Sequence, residues 1–165
     1  TAQAHGATGG LTPQRRAYFF GRELVRWAEY RGVPIISAIP THHANDIGLP
    51  NRVLIAAIEC GADIDRLAHA FLAAHWGDDA DLADPGTLRR LCAANGCDAD
   101  KLLAAADDDA ACAVHERNTD EAIRRSVFGS PTYFVGGDMF YGQDHLELVA
   151  RALKQPFRGT WPPTA

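Results

Sequence analysis

Two short segments late in this chain gather residue types able to hold a ligand: Gly129-Ser130-Pro131-Thr132 and Gly142-Gln143-Asp144. The first sets a proline at the opening of a β-branched and aromatic run, Thr132-Tyr133-Phe134-Val135. Taken alone, it is a turn proline that starts an edge strand. The second lies where a strand-like run hands over to an amphipathic helix. A helix N-terminus leaves backbone N–H groups without intrahelical partners and attracts anions, and Asp144 is also the residue type that caps such an end. Other candidates are weaker. His42 and His43, adjacent in a turn-rich stretch, read as solvent-facing rather than metal-ligating, and His69 and His75 as packing or facing water. The four cysteines, Cys60, Cys92, Cys97 and Cys112, include no Cys-x-x-Cys pair and no zinc spacing. They read as buried or semi-buried thiols of a reducing compartment. Asp107-Asp108-Asp109 reads as a solvated helix end, and no metal site is expected.

The elements that must position these residues follow from punctuation and period. Thr12-Pro13 pairs an N-cap with a proline at the first helical position. Phe19, Phe20, Leu24, Trp27 and Ala28 then recur at helical spacing, which predicts an amphipathic helix over 13–31 ended by Gly32 and Val33-Pro34. Residues 35–50 are crowded with turn formers and predict a long irregular connector, a feature that often carries function. Helices are expected over 51–60, from the Asp63 cap to Trp76, from Asp84-Pro85 to Asn95-Gly96, from Asp98, and over 108–125. Two strand-like runs divided by Gly136-Gly137 then predict a hairpin, followed by a helix carrying Leu146, Leu148, Val149 and Leu153. A two-stranded hairpin does not stand alone. No further strand is identifiable, so a strand-bearing part is expected upstream of Thr1.

Composition narrows the class. The 165 residues carry a net charge of −5 with 47% hydrophobic and 22% charged residues, the profile of an ordinary soluble protein. An acidic balance with scattered arginines argues against nucleic-acid binding. No signal peptide or apolar run near membrane-spanning length is visible, so neither a membrane nor export is expected. The expected organisation is a flexible loop over 1–11, an all-helical subdomain over 12–107, a helix–hairpin–helix unit over 108–155 and a tail over 156–165.

A helix, a Gly-Ser-Pro-Thr link, a hairpin and a terminal helix together resemble the second half of a thioredoxin fold. The stretch Asp138-Met139-Phe140-Tyr141-Gly142-Gln143-Asp144-His145-Leu146 is similar to one in the 2-hydroxychromene-2-carboxylate isomerases and kappa-class glutathione transferases. Further similarity lies in Arg26-Trp27-Ala28 with Gly32-Val33-Pro34, in Asn51-Arg52 and the helices through Trp76-Gly77, and in Asn118-Thr119-x-Glu121-Ala122-Ile123. The likeness covers roughly residues 12–155. It implies an α/β, thioredoxin-like fold with an all-helical insertion, whose N-terminal β-α-β part is absent from this chain.

The resemblance also implies glutathione as cofactor. A cis bond before Pro131 would aim the Ser130 backbone at the cysteinyl part of the tripeptide, in the manner of an added strand. Gln143 and Asp144 would hold its γ-glutamyl end, with Asp144 taking the ammonium. Phe19, Asn51, Arg52 and Trp76 would line the pocket of an aromatic acid. The implied reaction is isomerisation of an aromatic-derived unsaturated carboxylate by reversible thiolate addition, in a cytoplasmic homodimer of aromatic-compound metabolism. Ser130 replaces the family's usual valine, and Phe19 stands where many relatives have tyrosine. The family's serine that holds the thiolate lies in a part upstream of Thr1, so no catalytic residue is named. The alternatives are a disulfide oxidoreductase or glutathione transferase of the same fold, and a non-catalytic binding subunit completed by another chain.

Overall fold

The computed structural model describes residues 12–159 and residue 161. The loop expected over 1–11, residue 160 and the last four residues of the tail lie outside the described residues. The chain divides into two compact units, one ending at His115 and one beginning at Glu116.

The first unit is helical. Thr12 accepts a hydrogen bond from the Arg15 N–H at 3.3 Å and so caps α1 (Pro13–Tyr18). A π-helical segment over Phe19–Glu23 leads into α2 (Leu24–Arg31), with the Leu24 N–H donating to the Phe19 carbonyl. The single helix expected over 13–31 therefore contains one widened turn. Its end is as expected, with Gly32 in the left-handed region at φ 66°.

Beyond the connector come α3 (Gly48–Glu59), α4 (Ile64–Asp78), α5 (Pro85–Ala94) and α6 (Ala99–Ala106). Helix α3 starts three residues before the expected position, because Pro50 falls in the first turn, where a missing N–H costs nothing. Asp63, Asp84 and Asp98 each accept from an N–H two or three residues ahead. These are the N-caps that the sequence announces.

The four helices close around Val53, Ala56 and Ala57 of α3, Leu67 and Phe71 of α4, Leu88 and Cys92 of α5, and Leu102, Leu103 and Ala106 of α6. Helix α6 packs on both α3 and α5. Val53, Leu67, Leu88 and Cys92 are fully inaccessible. At about 1.5–3 kcal/mol for each large side chain buried, this cluster supplies the main drive for the unit. Cys60 is exposed rather than buried, because it is the C-cap of α3 and lies past the last core-facing turn.

Helix α7 (Asp109–Arg124) contains the division between the units. The second unit holds β1 (Thr132–Val135) and β2 (Asp138–Tyr141), a short 3-10 turn over Gln143–His145, and α8 (Leu146–Lys154). The strands pair antiparallel from Thr132 opposite Tyr141 to Val135 opposite Asp138. Gly136 and Gly137 make the turn with φ of 59° and 89°, the doubly positive backbone that suits the twist of a tight hairpin. Helix α8 packs on β1, with Phe140 and Ala152 buried. No third strand joins the hairpin among the described residues. The thioredoxin-like class with its helical portion, expected from the sequence, matches this architecture.

Candidate functional site

In the second unit the hairpin brings the two ligand-type segments together. Its register sets Thr132 beside Tyr141, so Pro131 and Gly142 become neighbours beyond the last strand pair. The Gly142 N–H donates to the Pro131 carbonyl at 3.0 Å. Twelve residues apart in sequence, Ser130 and Gly142 thus sit at one end of one ladder. The Ser130–Pro131 peptide bond is cis. Ser130 is exposed, and neither its N–H nor its carbonyl has a hydrogen-bond partner among the described residues. The loop is held from its other side: the Thr132 hydroxyl donates to the Gly129 carbonyl at 2.6 Å. Gly129 itself lies under the Tyr141 ring, where an added Cβ would come within 2.6 Å of Cε2. Only glycine admits this approach.

Gly142 has φ 105° and carries the chain out of β2 into the turn that presents Gln143 and Asp144. Asp144 is exposed, with His145 Nε2 at 4.0 Å from its carboxylate. Asp144 does not cap α8. The N-cap position belongs to His145, and no side chain among the described residues bonds to the first free N–H groups. The carboxylate therefore stays open to an external cation, and the helix start stays open to an anion. Ser130 also lines a cavity of about 400 Å³ with Asn118, Glu121, Arg125 and Thr132. Gln143 and Asp144 are not among its walls. Arg125 is held there by Phe134, whose ring centroid is 3.3 Å from the guanidinium carbon.

In the first unit, the residues expected to line an aromatic pocket separate into two places. Phe19 packs edge-on against Phe20 at 5.2 Å, and Phe20 is parallel to Trp76 within 10° at 6.5 Å between centroids. Arg52 is engaged elsewhere. Its Nε–H donates to the Ala106 carbonyl at 2.8 Å and its Nη2 approaches Asp107 at 3.4 Å, which ties α3 to the C-terminal end of α6. Asn51 follows the same helix, with its N–H on the Ile47 carbonyl.

The aromatic patch includes residues that the sequence did not single out for it. His43 lies 6.1 Å from Phe20 and 5.1 Å from Trp76 between ring centroids. Its Nδ1 is 3.1 Å from His75 Nε2, and His75 Nδ1 is 3.0 Å from the Ala80 carbonyl. The connector that carries His43 is pinned to the end of α4 along its length. Asp79 accepts from both the Thr41 N–H and the Thr41 hydroxyl at 2.6 Å. Asp81 accepts from Asn45 at 3.0 Å and lies 3.6 Å from His42. The Ile36 N–H donates to the Trp76 carbonyl at 2.7 Å. Partial loss of solvent, with the nearby His75 and Arg16, lowers the His43 pKa below the usual imidazole value. Thr41 holds the Asp79 carboxyl below the usual carboxylate range. Spacing offered no signal for the histidine pair, since its members are 32 residues apart.

No helix among the described residues is long and apolar enough to cross a membrane. Among the same residues, no three His, Cys, Asp or Glu side chains gather as a metal site.

The chain is 28% identical over 134 residues to a 2-hydroxychromene-2-carboxylate isomerase of Pseudomonas putida, covering 79% of this chain and 62% of the relative. It is 33% identical over 134 residues to one of Sphingobium xenophagum, covering 77% and 63%. The chain thus spans about three fifths of the length of the curated relatives it matches. A solved structure of a 2-hydroxychromene-2-carboxylate isomerase superposes with a TM-score of 0.69 at 23% identity, over 93% of this chain and 74% of that one. At that identity the likeness speaks for the fold. The sequence pattern of the DSBA-like thioredoxin domain matches residues 3–154, and the chain belongs to that family.

Proposed function

We propose that the protein to which this chain belongs is a glutathione-dependent isomerase of an aromatic-derived unsaturated carboxylate such as 2-hydroxychromene-2-carboxylate. The observation that carries the reading is the joining of Ser130-Pro131 to Gly142-Gln143-Asp144 through the hydrogen bond between Gly142 and Pro131. It sets an unpaired main-chain donor and acceptor at Ser130 on the same strand end as an uncapped helix start and a carboxylate. A tripeptide with an amide backbone, one free α-carboxylate and one ammonium has matching groups. The names of the relatives supply the substrate class.

In this reading the Ser130 N–H and carbonyl pair with the peptide backbone of glutathione. Asp144 takes the ammonium, and the free N–H groups near Gln143 and Leu146 take the α-carboxylate. The chemistry supplied by bound glutathione is reversible thiolate addition to a conjugated double bond, which splits one difficult step into two easier ones. Within the first unit, Phe19 and Trp76 belong to an aromatic surface suited to a flat ring. Arg52, fixed on the Ala106 carbonyl, is left out of that role.

Calorimetry of the full protein with glutathione tests the reading. Micromolar to millimolar binding is expected, and Asp144→Ala should weaken it about fivefold to tenfold, as for one half-exposed charge-assisted hydrogen bond. Conversion of 2-hydroxychromene-2-carboxylate, followed by absorbance, should require added glutathione. Absence of both heat and thermal shift with glutathione rules the proposal out.

A further inference from the structure

The histidine pair beside the aromatic patch has a fixed proton arrangement. A carbonyl oxygen only accepts hydrogen bonds, so in the neutral pair the contact with Ala80 puts the His75 proton on Nδ1. His75 Nε2 is then a lone pair. The group facing it at 3.1 Å, His43 Nδ1, must be the donor. One atom remains. His43 Nε2 carries a lone pair and has no hydrogen-bond partner among the described residues, and His43 is exposed to solvent.

We propose that His43 Nε2 is a hydrogen-bond acceptor that selects a hydroxyl-bearing planar aromatic ligand lying on the Phe19, Phe20 and Trp76 patch. The inference deepens the aromatic half of the reading above and rests on it for the aromatic ring of the ligand; it is independent of the glutathione half. Three observations converge. Phe19 is 49% exposed and, with Phe20 and Trp76, gives a partly open aromatic surface suited to a flat ring. The His43 ring that carries the acceptor is packed beside Phe20 and Trp76, 6.1 and 5.1 Å away between centroids. Its backbone is immobilised by the bonds from Thr41 and Asn45 to Asp79 and Asp81, so little freedom is lost on binding.

The charges around the site favour a neutral acceptor. Partial loss of solvent first, and then His75 and Arg16, disfavour a proton on His43. On the connector and the end of α4, the ionisable groups are His42, Asp46, His75, Asp78, Asp79 and Asp81; His42 is matched to Asp81 at 3.6 Å, and Asp79 is bonded to Thr41. A neutral imidazole nitrogen takes a hydroxyl proton in a hydrogen bond and offers nothing to an ether. The site therefore separates a phenol or enol from its O-methyl counterpart. Because the folded pKa is lowered, the neutral form persists below the usual imidazole value, and the preference for the hydroxyl compound disappears only as pH falls through that lowered value.

The test uses 2-naphthol and 2-methoxynaphthalene as probes, with binding to the full protein followed by tryptophan fluorescence. Wild type should bind 2-naphthol about fivefold to tenfold more tightly than the ether, as for one hydrogen bond. His43→Phe keeps the ring surface and should reduce 2-naphthol to the affinity of the ether, leaving the ether unchanged. Nitrogen-15 NMR of the wild-type histidines, which needs no variant to fold, should show the His43 proton on Nδ1. Equal affinity of the two probes for wild type, or a proton on Nε2, overturns the role of His43 while leaving the aromatic patch standing. Failure of both probes to bind overturns the patch together with the inference. Neither outcome bears on glutathione, whose calorimetry is read separately.

Discussion

Replacing Arg52 by methionine distinguishes a structural arginine from one that meets a ligand. The substitution keeps most of the aliphatic stem, which is largely buried, with the side chain 23% exposed. It removes the Nε–H bond to the carbonyl of Ala106, a residue fully shielded from solvent. A bond from a charged donor contributes about 1.5–3 kcal/mol, and the orphaned carbonyl at the end of α6 has no other partner among the described residues. The second contact, to Asp107, adds at most about 1 kcal/mol, because that carboxylate is 73% exposed and well screened. Together the loss is about 2 kcal/mol. For a chain of this size that corresponds to a fall in melting temperature of about 4–8 °C. Urea unfolding followed by circular dichroism gives the free energy directly. Asp107→Asn should cost less than about 0.5 kcal/mol in the same assay. Binding of 2-naphthol should stay within twofold of wild type in both variants. Unchanged stability of Arg52→Met, combined with lost aromatic binding, would refute the structural assignment and return Arg52 to the ligand.

Thr41→Val should destabilise the protein at neutral pH by removing the hydroxyl bond to Asp79. Because Thr41 depresses the folded pKa of Asp79, its contribution is present above the unfolded carboxylate value of about 3.9 and is lost as pH falls through the folded value. The gap in denaturation midpoint between wild type and variant should therefore shrink below about pH 4; a gap constant from pH 7 to pH 2 contradicts this. Cysteine labelling at pH 8 should modify exposed Cys60 in the native protein and spare Cys92, whose burial pushes its thiol up to about 11. Mass spectrometry showing native Cys92 labelled as fast as Cys60 would overturn that assignment.

Local chemistry made most of the fold legible. Thr12, Asp63, Asp84 and Asp98 each announce a helix, because a cap acts within three residues of itself. Gly136-Gly137 marks the hairpin for the same reason, and the hairpin register brings Pro131 and Gly142 together without further information. What escaped reading depends on distance. His43 meets His75 across 32 residues and Arg52 meets Ala106 across 54, and no period or spacing encodes such meetings. The family resemblance set Arg52 in a substrate pocket, yet its Nε–H is bound to the Ala106 carbonyl and Val53 beside it is buried in the core that α3 shares with α6. Asp144, with a cap-like residue type, leaves the cap position to His145 because a 3-10 turn intervenes before α8. The widened turn at Phe19–Glu23 was invisible for a different reason. Apolar residues recur acceptably on either winding, so the pattern does not report one surplus residue.

That surplus residue sets the phase of everything ahead of it. Each residue of an α-helix advances about 100° around the axis, and the wider π turn over Phe19–Glu23 absorbs about one residue's worth of that rotation, so winding the same residues uniformly as α-helix would swivel α1 by roughly a quarter turn relative to α2. Arg16 would leave the neighbourhood of His43, and Phe20 its alignment with Trp76. The bulge works as a rotational offset, letting one continuous rod present Trp27 in one direction while its leading half faces another.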